Sequence, residues 1–93
     1  MNLLTRRDLN DEQIKADILN RLVNAGAFGA YHIPVGQMRS WIQNKIKRDG
    51  RTVTRCIEEL GRAGLIGRTS RSTIYAVHSR LDEIIEYIEK NLM

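Results

Sequence analysis

Apolar residues recur at steps of three and four after Asn10, which is the spacing of one face of an α-helix. The pattern predicts a helix over 11–25, and Gly26 marks its end. Asn10 and Gln13 have the spacing of a capping box, in which each side chain bonds the backbone N–H of the other. The first predicted element is therefore a helix with a defined start and a defined end.

Three more stretches have the same spacing and predict helices over 35–45, 50–63 and 79–91. Asp49 is a suitable N-cap for the third helix, and Gly64 ends it. The segments between the helices differ in character. Two glycines and Pro34 exclude a helix over most of 26–35 and leave a short edge strand, Ala30 to Ile33.

Residues 65–77 have apolar, β-branched ends and a polar, basic middle, which predicts two strands joined by a tip at 68–72. The predicted fold class is α+β, mainly helical with a small hairpin, in the order α-β-α-α-β-β-α. Residues 1–9 form an N-terminal arm in this interpretation, residues 10–78 the domain body, and residues 79–93 a C-terminal helix.

Charge is unevenly distributed along the 93 residues, whose net charge is +4. Residues 39–72 hold nine basic side chains against three acidic ones, a balance of +6, whereas residues 73–93 balance at −2. A basic segment of this kind favours a polyanionic partner, with nucleic acid first and an anionic membrane surface second.

Other features narrow the class of protein. A single cysteine, Cys56, excludes an intramolecular disulfide and a cysteine-rich zinc site, and favours a reducing compartment. No apolar run has the length of a transmembrane helix, and the first ten residues lack the apolar stretch of a secretory signal. We therefore expect a soluble cytoplasmic protein with no membrane partner. His32 and His78 have no metal-ligand spacing, and no catalytic motif is present. We expect no enzymatic activity, no metal, no cofactor and no small-molecule ligand.

An ordered set of motifs carries a family resemblance. It consists of R-T-V-T-R at 51–55, I-x-x-L at 57–60, G-L-I at 64–66 and the basic hairpin. Over residues 11–78 this set resembles the winged helix-turn-helix DNA-binding regulators. The resemblance implies sequence-specific binding of double-stranded DNA and a role in transcription regulation. It also implies that helix 50–63 enters the major groove, while the 68–72 wing lies on the backbone or in the minor groove.

In the helix over 50–63, Val53, Ile57 and Leu60 fall on one face and are predicted to be buried. Four polar residues near its start are left to face outward: Arg51, Thr52, Thr54 and Arg55. Arginine can read guanine through two hydrogen bonds, and threonine can meet a thymine methyl group or a phosphate. The alternative is that these four are ordinary solvated residues.

Other cations complete the predicted DNA-binding set. Lys47 and Arg48 lie in the turn before this helix, where contact with phosphates and a solvated loop are both open. Arg68 and Arg71 lie in the predicted wing, and Arg71 is the candidate for the minor groove. The alternative for Arg71 is that it only keeps the hairpin soluble.

The last helix has an apolar seam at heptad spacing, formed by Leu81, Ile85, Ile88 and Leu92. We interpret it as a dimerisation element of a homodimer, since related regulators bind palindromes as dimers. The competing interpretation is that this helix packs on its own domain and covers the first helix. Two further functions stay open: a winged-helix module for protein–protein interaction in a larger assembly, and binding of structured RNA.

Overall fold

The computed structural model describes residues 9–44 and 50–92. Its elements follow in chain order: α1 (Asp11–Asn24), β1 (Ile33–Pro34), α2 (Val35–Gln43), α3 (Gly50–Arg62), β2 (Ile66–Arg68), β3 (Thr73–Ala76) and α4 (Leu81–Leu92). A 3-10 turn over His78–Arg80 leads into α4. The α+β class and the predicted order of elements are confirmed. Residues 1–8 of the predicted arm lie outside the described residues, as do Lys47, Arg48 and Asp49. Leu9, the last residue of the predicted arm, is partly buried and packs against the core.

The start of α1 has the predicted capping box. The Asn10 side chain accepts a hydrogen bond from the Gln13 N–H at 2.8 Å, and the Gln13 side chain accepts one from the Asn10 N–H at 3.0 Å. These two bonds satisfy backbone donors that have no partner within the helix. At the other end, Gly26 has φ +71°, a left-handed conformation that favours glycine and stops the helix.

The three strands form one antiparallel sheet in the order β1-β3-β2. Ile33 lies opposite Ile74, and Ile66 lies opposite Ala76. The position of Pro34 on an edge strand is confirmed, but the prediction that the strand begins at Ala30 is wrong. Gly29 has φ +105° and turns the chain, so pairing with β3 begins only at Ile33.

One apolar core joins the helices to the inner side of the sheet, and it includes all three predicted α3 positions: Val53, Ile57 and Leu60. Four isoleucines from α1 and α4 lie in the same core: Ile14, Ile18, Ile84 and Ile88. α1 lies between α3 and α4 and contacts both. Removing a large aliphatic side chain from water stabilises a fold by about 1.5–3 kcal/mol, so this packing anchors α4 to the domain.

The predicted seam of α4 is wrong at Ile88, which is 7% exposed and belongs to the core. Ile84 and Ile88 are four residues apart and share the helix face that packs on α1. Leu81 is half-buried, and Ile85 and Leu92 are each 38% exposed. The helix therefore covers α1, as the competing interpretation expected, and only part of the predicted seam faces solvent.

No helix in the described ranges, 9–44 and 50–92, combines the length and the apolar character needed to cross a membrane.

Candidate nucleic-acid interface

The solvent side of α3 begins with Arg51, which is exposed, and Thr54, which is half-buried. Glu58 and Arg62 are also exposed, and Gly61 is intermediate. Thr54 and Glu58 follow Arg51 at steps of three and four, and Gly61 and Arg62 lie three and four residues after Glu58, so the five residues line one side of the helix. We call this set the outer α3 face: Arg51, Thr54, Glu58, Gly61 and Arg62. It carries two positive charges and one negative charge.

Thr52 was predicted to face outward, and that prediction is wrong because the residue is only 8% exposed. Thr52 stands four residues before Cys56, which is fully buried, and the two share a helix face. The buried side of α3 is therefore wider than the stripe of Val53, Ile57 and Leu60 suggested. This burial leaves little of the Thr52 side chain accessible, and its contact with DNA stays a prediction.

Arg55 is 46% exposed but lies on the flank of α3 that faces α1. Its Nη2 donates to Oδ2 of Asp11 at 2.7 Å, and its Nε lies 3.7 Å from Oε2 of Glu59. Base contact by Arg55 would require it to exchange the Asp11 carboxylate for DNA. Arg55 stands four residues after Arg51 and lies toward the same side of α3, but Asp11 and Glu59 hold its guanidinium on the flank that faces α1.

Lys15 of α1 extends this pairing, since its Nζ lies 2.6 Å from Oε1 of Glu59. The hydrogen bond to Glu59 raises the pKa of Lys15, and the same bond lowers the pKa of Glu59. We call these four residues the α1–α3 charge cluster: Asp11, Lys15, Arg55 and Glu59. Its two acids and two bases neutralise one another, so this flank has little attraction for a polyanion.

Arg39 of α2 lies on the other side of the outer α3 face. Its Nη1 donates to Oγ1 of Thr54 at 3.5 Å, which places a third arginine beside the first turns of α3. Arg39 belongs to the basic segment 39–72 but is not among the DNA-binding residues predicted from the sequence. Its charge was the available signal for an outward orientation, because a charged side chain is rarely buried.

Arg68 and Arg71 of the β2–β3 hairpin, which the family resemblance predicts to be a wing, are both exposed. Thr69 organises the tip, since its Oγ1 lies 2.6 Å from Oγ1 of Thr73 and accepts a hydrogen bond from the Arg71 N–H at 3.2 Å. Ser72 completes the turn with φ 59°, and its carbonyl accepts a hydrogen bond from the Val35 N–H at 2.9 Å. The tip is therefore attached to the start of α2.

An open groove of about 390 Å³ separates the second half of α3 from β2. Its lining combines part of the outer α3 face with the hairpin: Glu58, Gly61, Arg62, Ile66 and Arg68. The groove brings Arg68 next to the outer α3 face. The structure thus assembles Arg39, Arg51, Thr54, Arg62 and Arg68 along one surface. Lys47 and Arg48, the two predicted cations of the preceding turn, lie outside the described residues.

The described residues include no group of three or more histidine, cysteine or acidic side chains that could hold a metal ion. Cys56 is buried in the core, and burial raises the pKa of its thiol to about 11. The thiol is therefore protonated near neutral pH and is a poor nucleophile. Cys56 is therefore a small core residue.

The comparisons with known proteins identify no relative: no protein-family model, no curated protein and no solved structure matches the chain.

Proposed function

We propose that the protein is a winged-helix, sequence-specific double-stranded DNA-binding protein that regulates transcription. In this proposal the first turns of α3 enter the major groove and the β2–β3 hairpin is the wing. The observation that carries it is the arrangement of the outer α3 face, on which Arg51 and Thr54 lie beside Arg39 of α2. Helices that read the major groove contact base edges from their first turns.

The chemistry of this surface supports the proposal. Arg51 has the two-pronged donor geometry that recognises guanine, and Arg39 is placed to bind a neighbouring phosphate. Arg68 and Arg71 on the hairpin provide cations for the backbone or for a narrow minor groove. The neutral α1–α3 charge cluster limits the attractive surface to one side of α3.

The test is selection of bound sequences from a random duplex pool, followed by fluorescence anisotropy with the preferred duplex and a scrambled duplex. We expect binding to the preferred duplex to weaken steeply with salt, since each neutralised phosphate contributes about 0.9 to the slope of log K against log salt. Arg51→Ala should weaken binding to the preferred duplex by about 1–3 kcal/mol, the discrimination of one bidentate base contact. Its effect on the scrambled duplex should be smaller.

The matched control is Lys90→Ala, which removes one positive charge from an exposed position on α4. This variant should bind both duplexes as the parent does. The proposal fails if no duplex binds at low salt. It also fails if Arg51→Ala and Lys90→Ala lose affinity equally, because that result would show a response to net charge alone.

A further inference from the structure

The groove between α3 and β2 contains a glycine that the fold itself does not require. Gly61 lies inside α3, where glycine is less favourable than alanine because it loses more conformational freedom on folding. Its φ angle is not positive, so the backbone at Gly61 does not have the left-handed conformation that favours glycine. A Cβ built at Gly61 would have no atom from another part of the described chain within 4 Å. The space beside Gly61 is therefore open to a molecule outside the chain.

Other glycines near the hairpin show the contrast. Gly64 has φ +81°, and a Cβ at Gly67 would overlap the ring of Tyr75. Both positions therefore need glycine for the chain's own conformation or packing. Gly61 has neither requirement and opens instead onto the groove, between Arg62 and Arg68.

The length of the outer α3 face indicates what reaches this groove in a DNA complex. From Arg51 to Arg62 the helix advances by roughly 16 Å at 1.5 Å per residue. The major groove is only about 12 Å wide. If α3 crosses the groove with its first turns among the base edges, its last turn meets the sugar–phosphate strand at the border of the groove.

We propose that the α3–β2 groove receives one sugar–phosphate strand of the bound duplex, with Gly61 providing clearance and with Arg62 and Arg68 binding phosphates. This inference rests on the proposed function. Glu58 also lines the groove and lies 4.0 Å from Arg62, an exposed ion pair that exchanges readily for a phosphate. Glu58 repels the strand in the complex, so its charge weakens binding.

Three groups of variants, measured with the duplex that the parent prefers, test the groove. Gly61→Leu fills the clearance and should weaken binding by about tenfold or more through a steric clash. Its urea unfolding midpoint should equal or exceed that of the parent, because leucine favours helix over glycine. Glu58→Gln should strengthen binding several-fold. Arg62→Ala and Arg68→Ala should each lower the salt slope by about 0.9, the contribution of one phosphate contact.

The controls change the same chemistry outside the groove. Ala63→Leu adds the same side chain at a nearby exposed position that does not line the groove, and Glu89→Gln removes an exposed acid from α4. Both should bind as the parent does. If Gly61→Leu and Ala63→Leu bind equally while the parent retains specific binding, the groove proposal is wrong and the proposed function stands.

Two further results overturn the inference in distinguishable ways. If the parent binds no duplex, the proposed function fails and the groove proposal fails with it. If Gly61→Leu turns a dimer into a monomer in sedimentation while its affinity for DNA is unchanged, the groove holds a second copy of the chain instead of DNA.

Discussion

α3 and α4 each turn one side to the core and the other to solvent, and their solvent sides have opposite chemistry. The outer α3 face carries Arg51 and Arg62 and continues to Arg39 and Arg68 on neighbouring elements. The solvent side of α4 has an excess of acids and two partly exposed aliphatic residues, Ile85 and Leu92. A charged residue can be predicted from the sequence to face solvent, because an unpaired charge is rarely buried. For an apolar residue, the sequence does not show whether the side chain packs in the core or contacts a partner.

The largest expected effect is that of Ile88→Ala, which tests whether α4 packs on the domain with Ile88 inward. Ile88 is in the core, so we expect the variant to lose about 2–5 kcal/mol of unfolding free energy from lost burial and cavity formation. Urea denaturation followed by circular dichroism measures the loss. Leu92→Ala is the control at a partly exposed position and should lose less than half as much. Equal losses would show that α4 does not pack with Ile88 inward.

Dimerisation through α4 stays a prediction, and it now depends on Leu81, Ile85 and Leu92. Burial of one aliphatic side chain contributes about 1.5–3 kcal/mol, so Ile85→Asp should weaken a dimer by roughly ten- to a hundred-fold. Sedimentation velocity over a range of protein concentrations gives the dissociation constant. The matched control is Glu86→Asp, an exposed change on the same helix that retains the charge. A parent that stays monomeric at every concentration would rule out this role.

Substitutions on the flank of α3 that faces α1 should have the smallest effect on unfolding free energy and on DNA binding. Arg55 and Asp11 form an exposed ion pair, which stabilises a fold by about 0.2–1 kcal/mol after solvent screening. A double-mutant cycle with Arg55→Ala and Asp11→Ala isolates this coupling in urea denaturation. Arg55→Ala should also reduce specific DNA binding less than Arg51→Ala. If the two variants lose equal specificity, Arg55 contacts DNA despite its partner, and the division between the two sides of α3 is wrong.

Local features of the fold were predictable from sequence. The capping box of Asn10 and Gln13 and the helix ends at Gly26 and Gly64 depend on nearby residues alone, and the structure confirms them. The inward positions Val53, Ile57 and Leu60 follow from helical spacing in the same way. The two-residue length of β1 could not be predicted from nearby residues, because β1 pairs with β3, about forty positions away in the sequence.

The sequence-based predictions that were wrong or incomplete at the candidate site have a common physical cause. Each depends on contacts between elements that are far apart in the sequence. Thr52 is buried because α3 is packed against α1, α2 and β2, which cover more of its circumference than one apolar stripe indicates. Arg55 pairs with Asp11 across 44 positions of the chain, and Arg39 meets Thr54 across 15. Spacing within one helix cannot reveal such partners. Helical spacing did identify Arg51 as an exposed residue.

The antiparallel pairing of Ile33 with Ile74 encloses residues 34–73 in a loop, and the bond from Val35 to Ser72 closes its base. α2, α3 and the hairpin tip at 68–72 therefore lie within this loop, and the pairing of β1 with β3 joins its two ends. The entropy of closing a loop rises only with the logarithm of its length, by about 0.6 kcal/mol for each doubling. A few residues gained or lost within 45–49 would hardly change that entropy. Insertions and deletions there would therefore change the connection between α2 and α3 at little entropic cost, while the pairing at the base of the loop is unchanged.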